Sequence, residues 1–118
     1  MKNKLSLTVD HNNAKRMEFF LNKVKDELKE VSFDWKHLKR ADQLTDALQF
    51  VSTSSAHPIT IRVFFCDSYS AANEIAKANS FPYQPRAKWS LNGDLLYIVE
   101  SEDEDKVSEI LGLFAGEE

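Results

Sequence analysis

With 118 residues, 42% of them hydrophobic and 29% charged, the chain has the size and composition of one ordinary globular domain, and this excludes a disordered polypeptide. A net charge of −4 argues against a general nucleic-acid binder, and a single cysteine, Cys66, excludes an internal disulfide and points to a reducing compartment. No apolar run approaches the roughly 20 residues of a transmembrane helix.

In chain order, Leu5, Leu7 and Val9 alternate with Ser6 and Thr8, which predicts a short first strand. Leu5–Val9 is also too short and polar to be the apolar core of a signal peptide, so the expected address is the cytoplasm. Asp10, Asn12 and Asn13 are turn and cap residues. Met17, Phe20, Leu21, Val24, Leu28 and Val31 then recur at helical spacing and predict one long amphipathic helix. Val31, Phe33 and Trp35 alternate with polar residues, so a short strand is the competing expectation there. Lys36, His37, Lys39 and Arg40 form the one compact basic cluster. As a nucleic-acid contact it offers Lys36, Lys39 and Arg40 with Trp35 as the only nearby aromatic; an exposed loop accounts for it more simply.

Asp42 is placed to cap a helix carrying Leu44, Ala47, Leu48 and Val51. Ser52 to Ala56 reads as a surface loop inside the domain. Ile59, Ile61, Val63 and Phe65 alternate with Thr60, Arg62, Phe64 and Cys66, the period of a strand. Its second face is polar at first and apolar by Phe64, so that face is expected to be open early and covered late. Asp67, Ser68 and Ser70 are N-cap candidates, and Ala71, Ala72, Ile75, Ala76 and Ala78 give the following helix a small-residue face.

This strand–helix junction is where open α/β folds bind ligands, and a helix N-terminus lowers a thiol pKa. Cys66 is therefore the one candidate nucleophile or redox-sensing group, with His57 and Arg86 as potential partners. The turn after it has no glycine and no CxxC, and a small buried hydrophobe is the simpler reading of a lone cysteine. Tyr83, Arg86, Ser68 and Ser70 are the ligand-contact candidates, from the junction and from the proline-stiffened segment Phe81 to Arg86.

Asn92-Gly93 predicts a two-residue hairpin turn pairing Trp89 with Leu96 and Ala87 with Ile98. One face then holds Ala87, Trp89, Leu91, Leu96 and Ile98, and the other Leu95, Tyr97 and Val99. A strand apolar on both faces is covered either by helices on both sides or by a partner chain, which makes Leu95, Tyr97 and Val99 candidate interface residues. Ser101 with Glu104 fits a capping box for a last helix over Val107, Ile110, Leu111 and Phe114.

The charge divides unevenly: residues 1–56 hold ten Lys/Arg and eight Asp/Glu, and residues 57–118 hold five and eleven, or +2 and −6. No histidine–cysteine spacing suggests a metal, no glycine-rich loop suggests a phosphate, and no cofactor is implied. The expectation is a single α+β domain over residues 1–118, ordered β-α-(β)-α-β-α-β-β-α, with a mixed or antiparallel sheet of four or five strands. Its expected role is a non-enzymatic binding or protein-interaction module, homodimeric if the hairpin face meets a second copy.

Overall fold

The computed structural model describes residues 11–24, 27–31, 34–52 and 57–114. The elements are α1 (His11–Leu21), β1 (Leu28–Glu30), a 3-10 turn (Ala41–Gln43), β2 (Leu44–Ser52), β3 (Ile59–Cys66), α2 (Tyr69–Ala78), β4 (Tyr83–Gln84), β5 (Ala87–Asn92), β6 (Leu95–Ser101) and α3 (Glu104–Phe114). The strands make one six-stranded sheet in spatial order β1-β2-β3-β6-β5-β4, antiparallel at every pairing. The α+β class holds, and the sheet is larger than the four or five strands expected. The expected strand over Leu5–Val9 and most of the expected loop at Ser52–Ala56 lie outside the described residues. No described helix is long and apolar enough to cross a membrane.

Side-chain alternation along β3 and β6 divides the core in two. Ile59, Ile61, Val63, Phe65, Leu95, Tyr97 and Val99 pack on one face against Met17, Phe20 and Leu21 of α1 and Val107, Ile110 and Phe114 of α3. Phe64, Cys66, Leu96 and Ile98 pack on the other against Ala71, Ala72, Ile75 and Ala76 of α2. Helices thus cover both sides of β6. Leu95, Tyr97 and Val99 have no exposed surface, so the candidate interface face is this chain's own core.

The predicted long first helix stops at Leu21, where Lys23 and Val24 N–H groups bond back three residues to Phe20 and Leu21 and tighten the last turn. Leu28 keeps its place in the core from a strand, β1, and the strand expected over Val31 to Trp35 falls partly outside the described residues.

The predicted helix after Asp42 is the strand β2, and the cause is a β-bulge. Leu44 lies opposite Cys66 and Asp46 opposite Phe65, so Thr45 is one residue too many. Its Oγ1 donates to the Phe65 carbonyl at 3.1 Å. The extra residue puts Leu44 and Ala47 on one face and Leu48 on the other. Apolar positions 44, 47, 48 and 51 then imitate a helical stripe.

The last hairpin pairs Trp89 with Ile98, Leu91 with Leu96 and Asn92 with Leu95, so the turn residues are Gly93 and Asp94. Only Gly93, at φ 63°, takes a positive φ, as a turn with glycine first requires. The register differs by two residues from the expected one, which leaves both predicted faces intact. Asn92 is instead used outside the turn, its Nδ2 donating to the Phe114 carbonyl at 2.8 Å. The cap of α3 is likewise displaced by two: Asp103 Oδ1 accepts from the N–H groups of Asp105 and Lys106, while Ser101 ends β6.

Candidate ligand groove

α2 leaves part of its sheet face uncovered. It lies over Phe64, Cys66 and Leu96, and leaves Gln49 of β2, Arg62 of β3 and Glu100 of β6 beyond its end. These three side chains sit side by side across the middle strands and make a polar row. Arg62 Nε donates to Gln49 Oε1 at 2.6 Å, and Arg62 Nη1 reaches Glu100 Oε1 at 2.7 Å. Both members of the ion pair keep a little over a third of their side-chain surface, 37% and 39%.

The row forms the floor of a groove of about 360 Å³. Phe64, Ile98, Leu38, Phe81 and Pro82 supply its apolar surface, with Asp34, His37, Asn79 and Ser80 at its polar positions. The Phe64 and Phe81 ring centroids are 5.4 Å apart. A concave, mostly apolar surface with a few fixed polar groups is the general form of a small-molecule site.

Two loops wall the groove and are tied together. The side-chain amide of Asn79 accepts from the Lys39 N–H at 2.9 Å and donates to the Lys39 carbonyl at 3.1 Å, so one side chain satisfies both backbone groups of the facing loop. Beside it Arg40 pairs with Glu74 of α2 at 3.1 Å. α2 itself ends in a Schellman motif: Phe81 N–H bonds to the Ala76 carbonyl at 3.0 Å and Ser80 N–H to the Lys77 carbonyl at 3.2 Å. That motif turns Phe81 into the groove region and stops the helix at Ala78, ahead of Pro82. It also holds Ser80 at φ 52°, a position that favours glycine. Arg40, in the opposite loop, sits at φ 63°, and these are the two non-glycine residues with positive φ among those described. Each costs of order 1–3 kcal/mol of local strain.

The groove holds Asp34, His37 and Ser80, a composition that invites comparison with a hydrolytic triad. Asp34 Oδ2 and His37 Nδ1 are 3.8 Å apart, beyond hydrogen-bond range, and both side chains are mostly exposed. Among the described residues no hydrogen bond joins Ser80 to His37. The geometry is that of a rim, and the chemistry the groove offers is hydrogen bonding and apolar contact.

The sequence-derived candidates are scattered. Cys66 is 4% exposed, and its Sγ donates to the Phe64 carbonyl at 3.7 Å. Burial first, then the Asp94 and Asp67 carboxylates, push its thiol up to about 12. This is the reverse of an activated thiolate. His57 and Arg86 do not reach it: His57 precedes Ile59, and the Arg86 carbonyl bonds the N–H of Ser101, which pairs with Ile59. Cys66 closes the other end of β3, roughly 23 Å away along an eight-residue strand at about 3.3 Å per residue.

Ser68 is the N-cap of α2, its Oγ accepting from the Ala71 N–H at 3.1 Å, and Ser70 is exposed on the first turn. Tyr83 is 71% exposed and lines a shallower depression with Tyr69, Asn73, Trp89, Ser90 and Leu91. Arg86 lies elsewhere, 3.7 Å from Glu104. In the basic cluster Arg40 is committed to Glu74 and Gln43, and the Lys36 ammonium lies 6.0 Å from the Trp35 ring centre. No group of three or more possible metal ligands occurs among the described residues.

Sequence reasoning missed the Arg62–Glu100–Gln49 row altogether. Its one visible signal was an arginine in the middle of a largely apolar strand. In comparisons with known proteins, no family model, no curated protein and no solved structure matches this chain.

Proposed function

We propose that this chain is a non-enzymatic binding domain whose ligand seat is the groove over Arg62, Glu100 and Gln49. The observation that carries the reading is the half-buried ion pair at the centre of the sheet. An ion pair taken partly out of water adds little to stability, because desolvation cancels much of the attraction. A hydrophobic pair would serve the fold as well at those two positions. The pair has a use if something above it must be recognised, and the apolar walls of Leu38, Phe81 and Pro82, which keep exposed surface, supply the contact area for that.

The strained residues Arg40 and Ser80 support the same reading, since both lie in the two loops that define the groove. The buried thiol and the exposed, separated Asp34 and His37 favour binding over catalysis.

The test is a thermal-shift screen of wild type and Arg62→Met against a panel of small metabolites. The reading expects compounds that raise the wild-type midpoint and leave the variant's unmoved. Compounds that stabilise both proteins equally would place the seat elsewhere.

A further inference from the structure

We infer that the groove takes a small, flat, uncharged ligand that presents an amide-type edge, an N–H donor beside a carbonyl acceptor. The inference rests on the groove being the binding seat and names the class of ligand for it.

Charge is the first argument. The ionic side chains on the groove are Asp34, Arg62 and Glu100, with Arg62 and Glu100 already paired at 2.7 Å. An anionic ligand on the open Nη2 of Arg62 meets a guanidinium whose charge Glu100 already offsets, with that carboxylate beside it. A cationic ligand at Glu100 meets the mirror image in Arg62, and the other carboxylate, Asp34, is mostly exposed, where an ion pair adds little. A neutral ligand meets neither penalty.

The unused hydrogen-bonding atoms are the second. Arg62 spends Nε on Gln49 and Nη1 on Glu100, and Glu100 spends Oε1 on Arg62. Among the described residues Arg62 Nη2 and Glu100 Oε2 take no hydrogen bond. The pair therefore offers a donor next to an acceptor, and an amide edge is the neutral group that answers both together.

Shape is the third. Phe64 and Ile98 belong to the sheet, while Leu38, Phe81 and Pro82 come from the walls, so an apolar ring is met from more than one side. A cavity of about 150 Å³ holds one benzene ring. The 360 Å³ of this groove accommodates a ring and its polar edge.

The test uses three probes of one shape: benzamide, benzoate and benzylammonium, titrated into the isotope-labelled protein while amide resonances are followed. Benzamide is expected to move Phe64, Phe81 and Ile98, with affinity at least about tenfold above either charged probe, which corresponds to about 1.4 kcal/mol. Glu100→Gln frees Arg62 from its counterion, so in that variant the order is expected to reverse in favour of benzoate. If benzoate or benzylammonium binds wild type in the groove as tightly as benzamide, the ligand class is wrong and the seat stands. If no probe moves Phe64, Phe81 or Ile98, the seat fails along with the class. Should Glu100→Gln not fold, the wild-type ranking of the three probes decides alone.

Discussion

Arg62 and Glu100 come from adjacent central strands and meet at 2.7 Å, with Glu100 two residues beyond Ile98, the residue directly paired with Arg62. This diagonal contact places a charged pair on a sheet face that is apolar where α2 covers it. Because each side chain keeps over a third of its surface, screening limits what the pair gives the fold. Arg62→Met is expected to lower unfolding free energy by no more than about 1 kcal/mol in urea titrations. A loss of several kcal/mol would make the pair structural.

Tyr97 is fully buried, its hydroxyl donates to the Leu111 carbonyl at 3.3 Å, and its ring lies 5.1 Å from that of Phe114. Tyr97→Asp is therefore expected to unfold the domain, by more than about 4 kcal/mol, through a buried unpaired charge and a lost ring. Tyr97→Phe removes only the hydrogen bond and should cost about 1 kcal/mol. Circular dichroism during denaturation separates the two.

The Cys66 thiol, pushed up to about 12, holds its proton throughout the neutral range. Alkylation of the folded protein should be negligible at pH 7–8 and should become fast only in denaturant. Brisk reaction of the native protein near neutral pH would return Cys66 to the list of functional groups.

Ser80 occupies the position in the α2 Schellman motif that glycine fills without strain. Ser80→Gly should stabilise the protein by about 0.5–1 kcal/mol, and Ser80→Ala should not. Midpoints from thermal denaturation give the comparison directly.

Glu30 lies opposite Phe50 on the core side of β1, and its Oε1 is buried without a hydrogen bond. Desolvation, and then the nearby Asp46 carboxylate, raise its pKa from 4.5. The folded state thus holds this proton more tightly than the unfolded chain does. The stabilising contribution is complete below pH 4.5 and is lost as pH rises through the folded value. Glu30→Gln should flatten that part of the stability–pH curve and leave the variant more stable than wild type at neutral pH, as measured by urea midpoints across a pH series.

Where a period ran unbroken, the sequence was a good guide. β3 alternates without interruption, the α2 alanines recur at helical spacing, and both faces of the β5–β6 hairpin were assigned residue by residue. The failures have local physical causes. At Thr45 a bulge changed a period of two into a false helical stripe. After Leu21 the same apolar series ran on from a helix into a strand, because a core face does not end where an element does. At Gly93 two adjacent turn-forming dipeptides competed, and Asn92 was drawn to the end of α3. The groove was illegible for a different reason. Gln49, Arg62, Asn79 and Glu100 are far apart in the chain, and only strand register and the short loop contacts bring them together.

The central claim is that the surface above Arg62 and Glu100 is a binding seat, and the most direct measurement is a crystal structure of the protein soaked with benzamide. The account predicts density for the ring against Leu38, Phe81 and Pro82, with the amide against Arg62 Nη2 and Glu100 Oε2. Density in the Tyr69, Tyr83 and Trp89 depression, with the groove open and empty, would contradict it.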